Sequence, residues 1–163
     1  MIYFRSSRIT IVLLMTLLGL FSCVNRRSSK TMNDAEILSF HQSLLTLDTH
    51  VDTPLRLKHS DIDLGQRHDP REIRSKLDFP RMDAGGLDAA FFAVWTAQGS
   101  RTEAGHAAVK QQAMEIIDQI EVSLAAYPQW SGLALRSGDA SDFDQQGKNA
   151  IFLGMENGYP IGT

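Results

Sequence analysis

Residues 87–95 read Leu-Asp-Ala-Ala-Phe-Phe-Ala-Val-Trp, a nearly continuous apolar run. Such a run is typical of a β-strand whose two faces are both buried in a parallel sheet. Ala150–Met155 is a second run of this kind, and Leu133–Leu135 predicts a brief strand between the two. Residues 102–127 place apolar side chains at helical spacing, and Pro128 ends that helix. Buried strands that alternate with amphipathic helices predict an α/β fold with a parallel sheet.

An earlier strand, residues 46–52, carries the most specific chemistry in the chain. It ends in His50-Val51-Asp52, and Pro54 follows. Because side chains alternate faces along a strand, the imidazole and the carboxylate point the same way at its carboxyl end. Zinc binds histidine nitrogen and aspartate oxygen, so the pair is a candidate metal site. The same two residues also suit a solvated turn.

Glu156 directly follows the last apolar run. In a (β/α)₈ barrel the functional groups lie at the carboxyl ends of the strands, which is where His50, Asp52 and Glu156 are all predicted. A carboxylate between two metal ions can bridge them, and the two ions can share a hydroxide that attacks a carbonyl. We therefore expect His50 and Asp52 to bind one ion, and Glu156 to be both a metal ligand and the catalytic residue that bridges two.

The first 22 residues resemble a secretory signal. Arg5 and Arg8 precede an apolar run, Ile9–Leu20, whose helical length of about 18 Å is short of a bilayer core of about 30 Å. The run ends in Leu-Phe-Ser-Cys, which resembles a bacterial lipobox, and Cys23 is the chain's single cysteine. We expect residues 1–22 to be a signal peptide, and residues 23–33 to be a lipidated Cys23 with a polar tether. The protein would then be a lipoprotein of the bacterial cell envelope, facing the periplasm or the exterior.

Composition sets broad limits on the class of protein. The chain is 43% hydrophobic and 21% charged, with a formal net charge of −3, which is ordinary for a globular domain. The slight acidity argues against a nucleic-acid partner. A single cysteine excludes an intrachain disulfide framework.

Three blocks of sequence resemble the membrane (renal) dipeptidase family of zinc metallopeptidases. They are Thr49–Pro54, Asp78–Gly86 and Gly154–Gly158, in the order in which that family has them. The resemblance runs from about residue 35 to the end. It implies a (β/α)₈ TIM-like barrel of the metal-dependent hydrolase type, and two Zn²⁺ that hydrolyse dipeptides, including those with a D-residue at the C-terminal position. By position, His50 and Asp52 match the family's first ligand pair, and Glu156 matches its bridging glutamate.

The length is short for such a barrel, which typically has about 250 residues and rarely fewer than 200. We therefore expect residues 34–163 to be the N-terminal part of a dipeptidase barrel, an incomplete barrel with the first three or four βα units. The family's two further histidine ligands, its acid/base aspartate and its substrate-binding arginine would lie beyond Thr163. On this interpretation the chain alone has no dipeptidase activity.

Other polar residues have a structural and a functional interpretation. His41 is expected to pack, His106 to be exposed, and the loop with His59 and His68 to be solvated rather than a second metal cluster. Asp48 could orient a metal ligand or serve a turn. Asp88 could hydrogen-bond near the site or satisfy backbone near the start of its strand, and the second interpretation is preferred. Trp95 and Tyr159 could each serve the site or pack. Asn157 and Tyr159 also depart from the family's commoner Glu-Gly-Gly-His form.

Two other functions compete with the dipeptidase. One is another binuclear metal amidohydrolase, acting on lactams, lactones or phosphoesters. The other is a lipid-anchored binding protein without catalysis, which would retain no stoichiometric zinc. Dipeptide substrate and membrane are the expected partners, and homodimer formation is left open.

Overall fold

The computed structural model describes residues 31–57, 62–73 and 75–162. The predicted signal peptide, Cys23 and most of the tether lie outside the described residues, as does His59. The chain divides into two compact units, Met1–Ile37 and Leu38–Thr163. The second unit contains every strand and the candidate site.

Helix α1, Asp34–Gln42, begins with a capping box. Asn33 Oδ1 accepts a hydrogen bond from the Glu36 N–H at 3.0 Å, and a Glu36 carboxylate oxygen accepts from the Asn33 N–H at 2.9 Å. No residue of this helix is buried, and Leu38 and Phe40 remain 50% and 57% exposed.

Four parallel strands form one sheet. They are β1 (Leu47–Val51), β2 (Ala89–Val94), β3 (Ser131–Leu133) and β4 (Asn149–Met155), and their spatial order is β1-β2-β4-β3. β3 therefore lies at an edge, beside the first half of β4, and not between β2 and β4. The prediction of an α/β fold with a parallel sheet is confirmed.

The predicted strand at Leu133–Leu135 is two residues too late. Leu135 is 79% exposed. The Leu135 and Arg136 N–H groups both donate to Asp139 Oδ2, at 2.8 and 2.9 Å. Because these two amides cap the following helix, they cannot pair with β4, and the strand ends at Leu133.

The remaining helices cover or connect the strands. They are α2 (Pro54–Leu57), α3 (Phe79–Gly85), α4 (Glu103–Ala125), α5 (Ser137–Asp144) and a final 3₁₀ turn, Tyr159–Ile161. α4 begins at Thr102, whose hydroxyl accepts from the Gly105 N–H. Its predicted apolar face is buried at Val109, Ala113, Ile116, Ile120 and Leu124, and Ile117 is partly buried.

The two faces of the sheet have different coverings. One face packs in a large apolar core with α4 and the loop after β1; Val51, Ala90, Phe92, Val94 and Ile151 belong to it. Ala89 and Ala150, from the opposite face, form a smaller cluster with Ala134 and side chains of α5. Among the residues that the structure describes, no helix has the length and apolar character needed to cross a bilayer.

Candidate metal centre

A β-bulge shapes the carboxyl end of β1. Asp48 is paired with Ala90, but the next pair is Val51 with Phe92, so β1 has one residue more than β2 across this stretch. Bulges of this kind change the direction of side chains at the end of a strand. The Asp48 carboxylate accepts a hydrogen bond from the His50 N–H at 2.9 Å. The observed contact of Asp48 is therefore with the backbone of His50.

His50, Asp52 and Glu156 come together at the carboxyl edge of the sheet. His50 Nε2 lies 3.3 Å from Asp52 Oδ1 and 3.8 Å from Glu156 Oε2. One ligand atom from each residue falls within 4.8 Å of the others, which makes a candidate metal-binding triad. The sequence predicted that these three side chains lie together, because each is at or just after the carboxyl end of a parallel strand.

The triad spans β2, which lies between β1 and β4. The paired residues of β2 and β4 next to it are Ala93 and Gly154. By strand alternation they share the face of Glu156, opposite to the face of Phe92. Because neither side chain is larger than a methyl group, His50 and Glu156 can meet above them. One layer deeper, Phe91 and Phe152 stack with ring centroids 4.8 Å apart.

The donor set and spacing fit a divalent cation. One imidazole nitrogen and two carboxylates are zinc ligands, and a tetrahedral site with bonds of about 2.1 Å separates its ligand atoms by roughly 3.4 Å. The observed 3.3 and 3.8 Å are close to that separation. The side chains of His50 and Asp52 are 51% and 64% exposed, so an ion can reach them from solvent.

A groove of about 400 Å³ adjoins His50 and Asp52. Two cations, Arg56 and Lys76, line it together with Ser75 and Leu77. Sequence reasoning did not single out either cation, because the loop after β1 looks uniformly charged in the sequence.

The segment after Glu156 is held by polar contacts that the sequence did not predict. Asn157 Nδ2 donates to the Thr96 carbonyl oxygen at 2.5 Å, and the Tyr159 hydroxyl donates to the Ser100 carbonyl oxygen at 2.5 Å. Tyr159 is buried. Its ring therefore packs, and its hydroxyl bonds to the loop after β2.

Other candidate histidines have structural partners. His41 Nε2 is 2.8 Å from the Gly85 carbonyl oxygen, and His68 Nε2 is 2.8 Å from the Asp63 carbonyl oxygen. His41 was expected to pack, and it is half-buried with this partner. His68 was expected in a solvated loop, but it is half-buried and bonded within the loop. His106 was expected to be exposed, but it is half-buried against Tyr159, with ring centroids 4.9 Å apart. Within the described ranges, the triad is the group of three ligand-type residues that could hold a metal.

Asp88 and Trp95 lie at opposite ends of β2. An Asp88 carboxylate oxygen accepts from the Thr46 N–H at 2.7 Å, so it satisfies backbone at the start of β1. Trp95 follows Val94 and is 38% exposed. It is thus not part of the core, and it lies at the edge of the sheet where the triad is.

Comparisons with known proteins agree with this architecture. A family model described as membrane dipeptidase (peptidase family M19) matches residues 34–163. The structure of the probable dipeptidase PvdM from Pseudomonas aeruginosa is 21% identical, with a TM-score of 0.63 over 80% of this chain and 33% of that chain. Dipeptidase AC, a metallopeptidase of family M19, is 19% identical, with a TM-score of 0.56 over 72% of this chain and 36% of that chain.

These structures share the fold of the chain, which confirms the predicted fold class, part of an α/β barrel. The chain spans about a third of the length of each. No match is found among curated proteins.

Proposed function

The chain belongs to the membrane dipeptidase family (peptidase family M19), and we propose that it supplies part of the metal centre of a zinc-dependent dipeptidase. The observation that carries the proposal is the meeting of His50, Asp52 and Glu156 at the carboxyl edge of a parallel sheet. Zinc there would polarise the peptide carbonyl and activate water for its hydrolysis. The chain's own residues bind and orient that ion.

Each residue of the triad has a separate role in the proposal. His50 supplies a nitrogen ligand from the bulge of β1, and Asp52 supplies an oxygen ligand two residues later. Glu156 approaches from β4, and its second carboxylate oxygen is available to a second ion. We propose two ions with Glu156 as a bridging ligand, because a carboxylate could bind one cation with each oxygen, and two-metal hydrolytic sites hold their ions about 3.5–4 Å apart.

The substrate we propose is a dipeptide, including one with a D-residue at the C-terminal position. The family membership supports the dipeptide. Two cations, Arg56 and Lys76, line the groove that adjoins His50 and Asp52. Their positive charge would attract the terminal carboxylate of a dipeptide. We also propose a lipid anchor at Cys23 and a place in the bacterial cell envelope, which the lipobox-like sequence supports.

Zinc binding by the 163-residue chain tests the metal centre. We expect His50→Ala, Asp52→Ala and Glu156→Gln each to weaken zinc affinity by more than about tenfold, since loss of a ligand costs more than loss of an outer partner. Competition with a chromophoric chelator measures the affinity. Glu121→Gln, an exposed change on α4, is the control and should leave affinity unchanged.

Two results would contradict the proposal. One is a wild-type chain that binds no zinc, and the other is equal affinity in wild type and all three variants. Dipeptide hydrolysis is assayed in parallel, and we expect none from the chain alone. The described residues supply three ligands, and we propose that a two-ion centre needs further ones. Zinc-dependent turnover by the isolated chain would contradict this proposal.

A further inference from the structure

We propose that Asn157 and Tyr159 are positioning residues for Glu156. They fix the segment after β4 to the loop between β2 and α4, and so aim the Glu156 carboxylate at His50. This inference rests on the proposed metal role of Glu156. It assigns a purpose to the two residues by which this chain departs from the family's commoner sequence after the glutamate.

Glu156 has little support from its own strand. It follows Met155, the last residue of β4, and its N–H donates to the Val94 carbonyl oxygen over a long 3.3 Å. Its side chain is 36% exposed and lies 3.8 Å from His50. The course of the backbone beyond residue 156 therefore decides where the carboxylate points.

Asn157 uses both ends of its amide to set that course. Its Nδ2 donates to the Thr96 carbonyl oxygen, which joins the end of β4 to the end of β2. Its Oδ1 accepts from the Tyr159 N–H at 2.9 Å, which closes a turn of the kind that asparagine side chains favour. One side chain thus bends the segment and ties it to the neighbouring strand.

Tyr159 provides the second anchor, farther from the strand. Its buried hydroxyl donates to the Ser100 carbonyl oxygen. A methyl group on either Gly99 or Gly105 would lie 2.9 Å from that hydroxyl oxygen, so two glycines make room for it. The Tyr159 carbonyl oxygen is 3.1 Å from His106 Nδ1, which adds a contact with α4.

Both anchors attach to the same partner, the loop between β2 and α4. Together they restrain residues 157 and 159 on either side of Gly158, and they leave the Glu156 side chain itself exposed to ligand. Loss of an anchor should let this segment shift while the core, which lies on the other side of β2, stays packed. Outer partners that orient a metal ligand are typically worth about 10–100-fold in metal affinity.

Zinc affinity of Tyr159→Phe tests the inference, because this change removes the hydroxyl and keeps the ring. We expect affinity about tenfold below wild type. Tyr127→Phe is the matched control, since it also removes a hydroxyl that bonds within this unit, to Asp63. It should leave zinc affinity unchanged. Thermal melting of the metal-free variants shows whether both changes cost similar stability.

Gly99→Ala is a second, independent variant. It keeps Tyr159 but places a methyl group in the space of its hydroxyl, so it should also weaken zinc binding. Equal zinc affinity of Tyr159→Phe, Gly99→Ala and wild type, with weakened binding in Glu156→Gln, would overturn the positioning role and leave the proposed function intact. If Glu156→Gln binds zinc like wild type while His50→Ala and Asp52→Ala do not, this inference fails alone. If all three variants bind zinc like wild type, the proposed function fails and this inference fails with it.

Discussion

At the scale of single residues, two small residues share the face of the candidate ligands. Ala93 and Gly154 are paired on adjacent strands, and by strand alternation they lie on the face of Glu156, which is 3.8 Å from His50. Trp95 borders the same edge of the sheet with its ring partly in solvent. The fluorescence of an indole in that position should respond to a metal ion bound at the triad.

We expect metal binding to quench the fluorescence of Trp95 and not that of Trp130. The Trp130 carbonyl accepts from the Asn149 N–H at the start of β4, and seven residues of strand put it roughly 20 Å from the triad. Addition of Cu²⁺ to Trp130→Phe should reduce emission, and addition to Trp95→Phe should not. Equal quenching of the two variants would place Trp95 away from the ion.

At the scale of elements, helix α3 fixes the long loop that follows β1. Asp78 is fully buried at its N-terminus, where its carboxylate accepts hydrogen bonds from the backbone N–H of Arg81 and of His68, at 2.9 Å each. Arg81 Nε also donates to it at 2.6 Å. Gly86 then ends the helix with a left-handed conformation, φ 65°. This explains why the second sequence block, which carries no metal ligand, has a defined pattern.

We expect Asp78→Asn to destabilise the chain by about 1–3 kcal/mol, because it leaves the Arg81 guanidinium, whose side chain is only 16% exposed, without its counter-charge. Urea unfolding measures the loss. Asp83→Asn, an exposed change in the same helix, is the control and should shift stability by no more than about 0.5 kcal/mol. Similar losses in the two variants would mean that the Asp78–Arg81 pair contributes little.

The contact between Asp63 and Tyr127 predicts a dependence of stability on pH. A hydrogen bond from the Tyr127 hydroxyl lowers the pKa of Asp63, and the same bond raises the pKa of Tyr127. Because the pKa of Asp63 is lower in the folded chain than in the unfolded chain, the ionised carboxylate stabilises the fold at pH above about 3.9, its pKa in the unfolded chain. This stabilisation is lost as pH falls through the pKa of Asp63 in the folded chain. Because the pKa of Tyr127 is higher in the folded chain, the protonated hydroxyl stabilises the fold at pH below about 10, its pKa in the unfolded chain. This stabilisation is lost as pH rises through the pKa of Tyr127 in the folded chain.

Tyr127→Phe should therefore melt at a lower temperature than wild type near pH 7, with the difference shrinking at strongly acidic and strongly alkaline pH. Circular dichroism melts across the pH range provide the measurement. A difference that stays constant from pH 3 to pH 11 would show that the ring's packing, and not this hydrogen bond, is responsible.

At the scale of the whole molecule, the chain spans about a third of the length of the structures it resembles. Within the described part, β1 is an edge strand of the sheet. The candidate ligands His50 and Asp52 lie at or just after its carboxyl end, which is the end of a strand where barrel enzymes place their chemistry.

The proposed anchor is tested on the whole chain in a bacterial host. Cys23→Ser should abolish incorporation of labelled palmitate and move the protein out of the membrane fraction, because the thiol that carries the lipid is gone. Ser28→Ala, in the predicted tether, should leave both unchanged. Persistent labelling of Cys23→Ser would rule out lipid attachment at this cysteine.

Local patterns in the sequence determined much of this protein. Continuous apolar runs specified parallel strands, and the caps at Asn33 and Thr102 specified where helices begin, because these signals depend on neighbouring residues. The positions of His50, Asp52 and Glu156 just at or beyond strand ends were readable for the same reason. The predicted chemistry of the site thus followed from residue type and spacing.

Only the tertiary structure decided which strands are neighbours and how the site is held. The edge position of β3, the bulge in β1 and the anchor between Tyr159 and Ser100 all depend on contacts between residues far apart in the chain. Such contacts are set by register and by the packing of one element on another. The physical reason is that hydrogen bonding and steric fit act at a few ångströms, and only the folded chain brings those groups within that range.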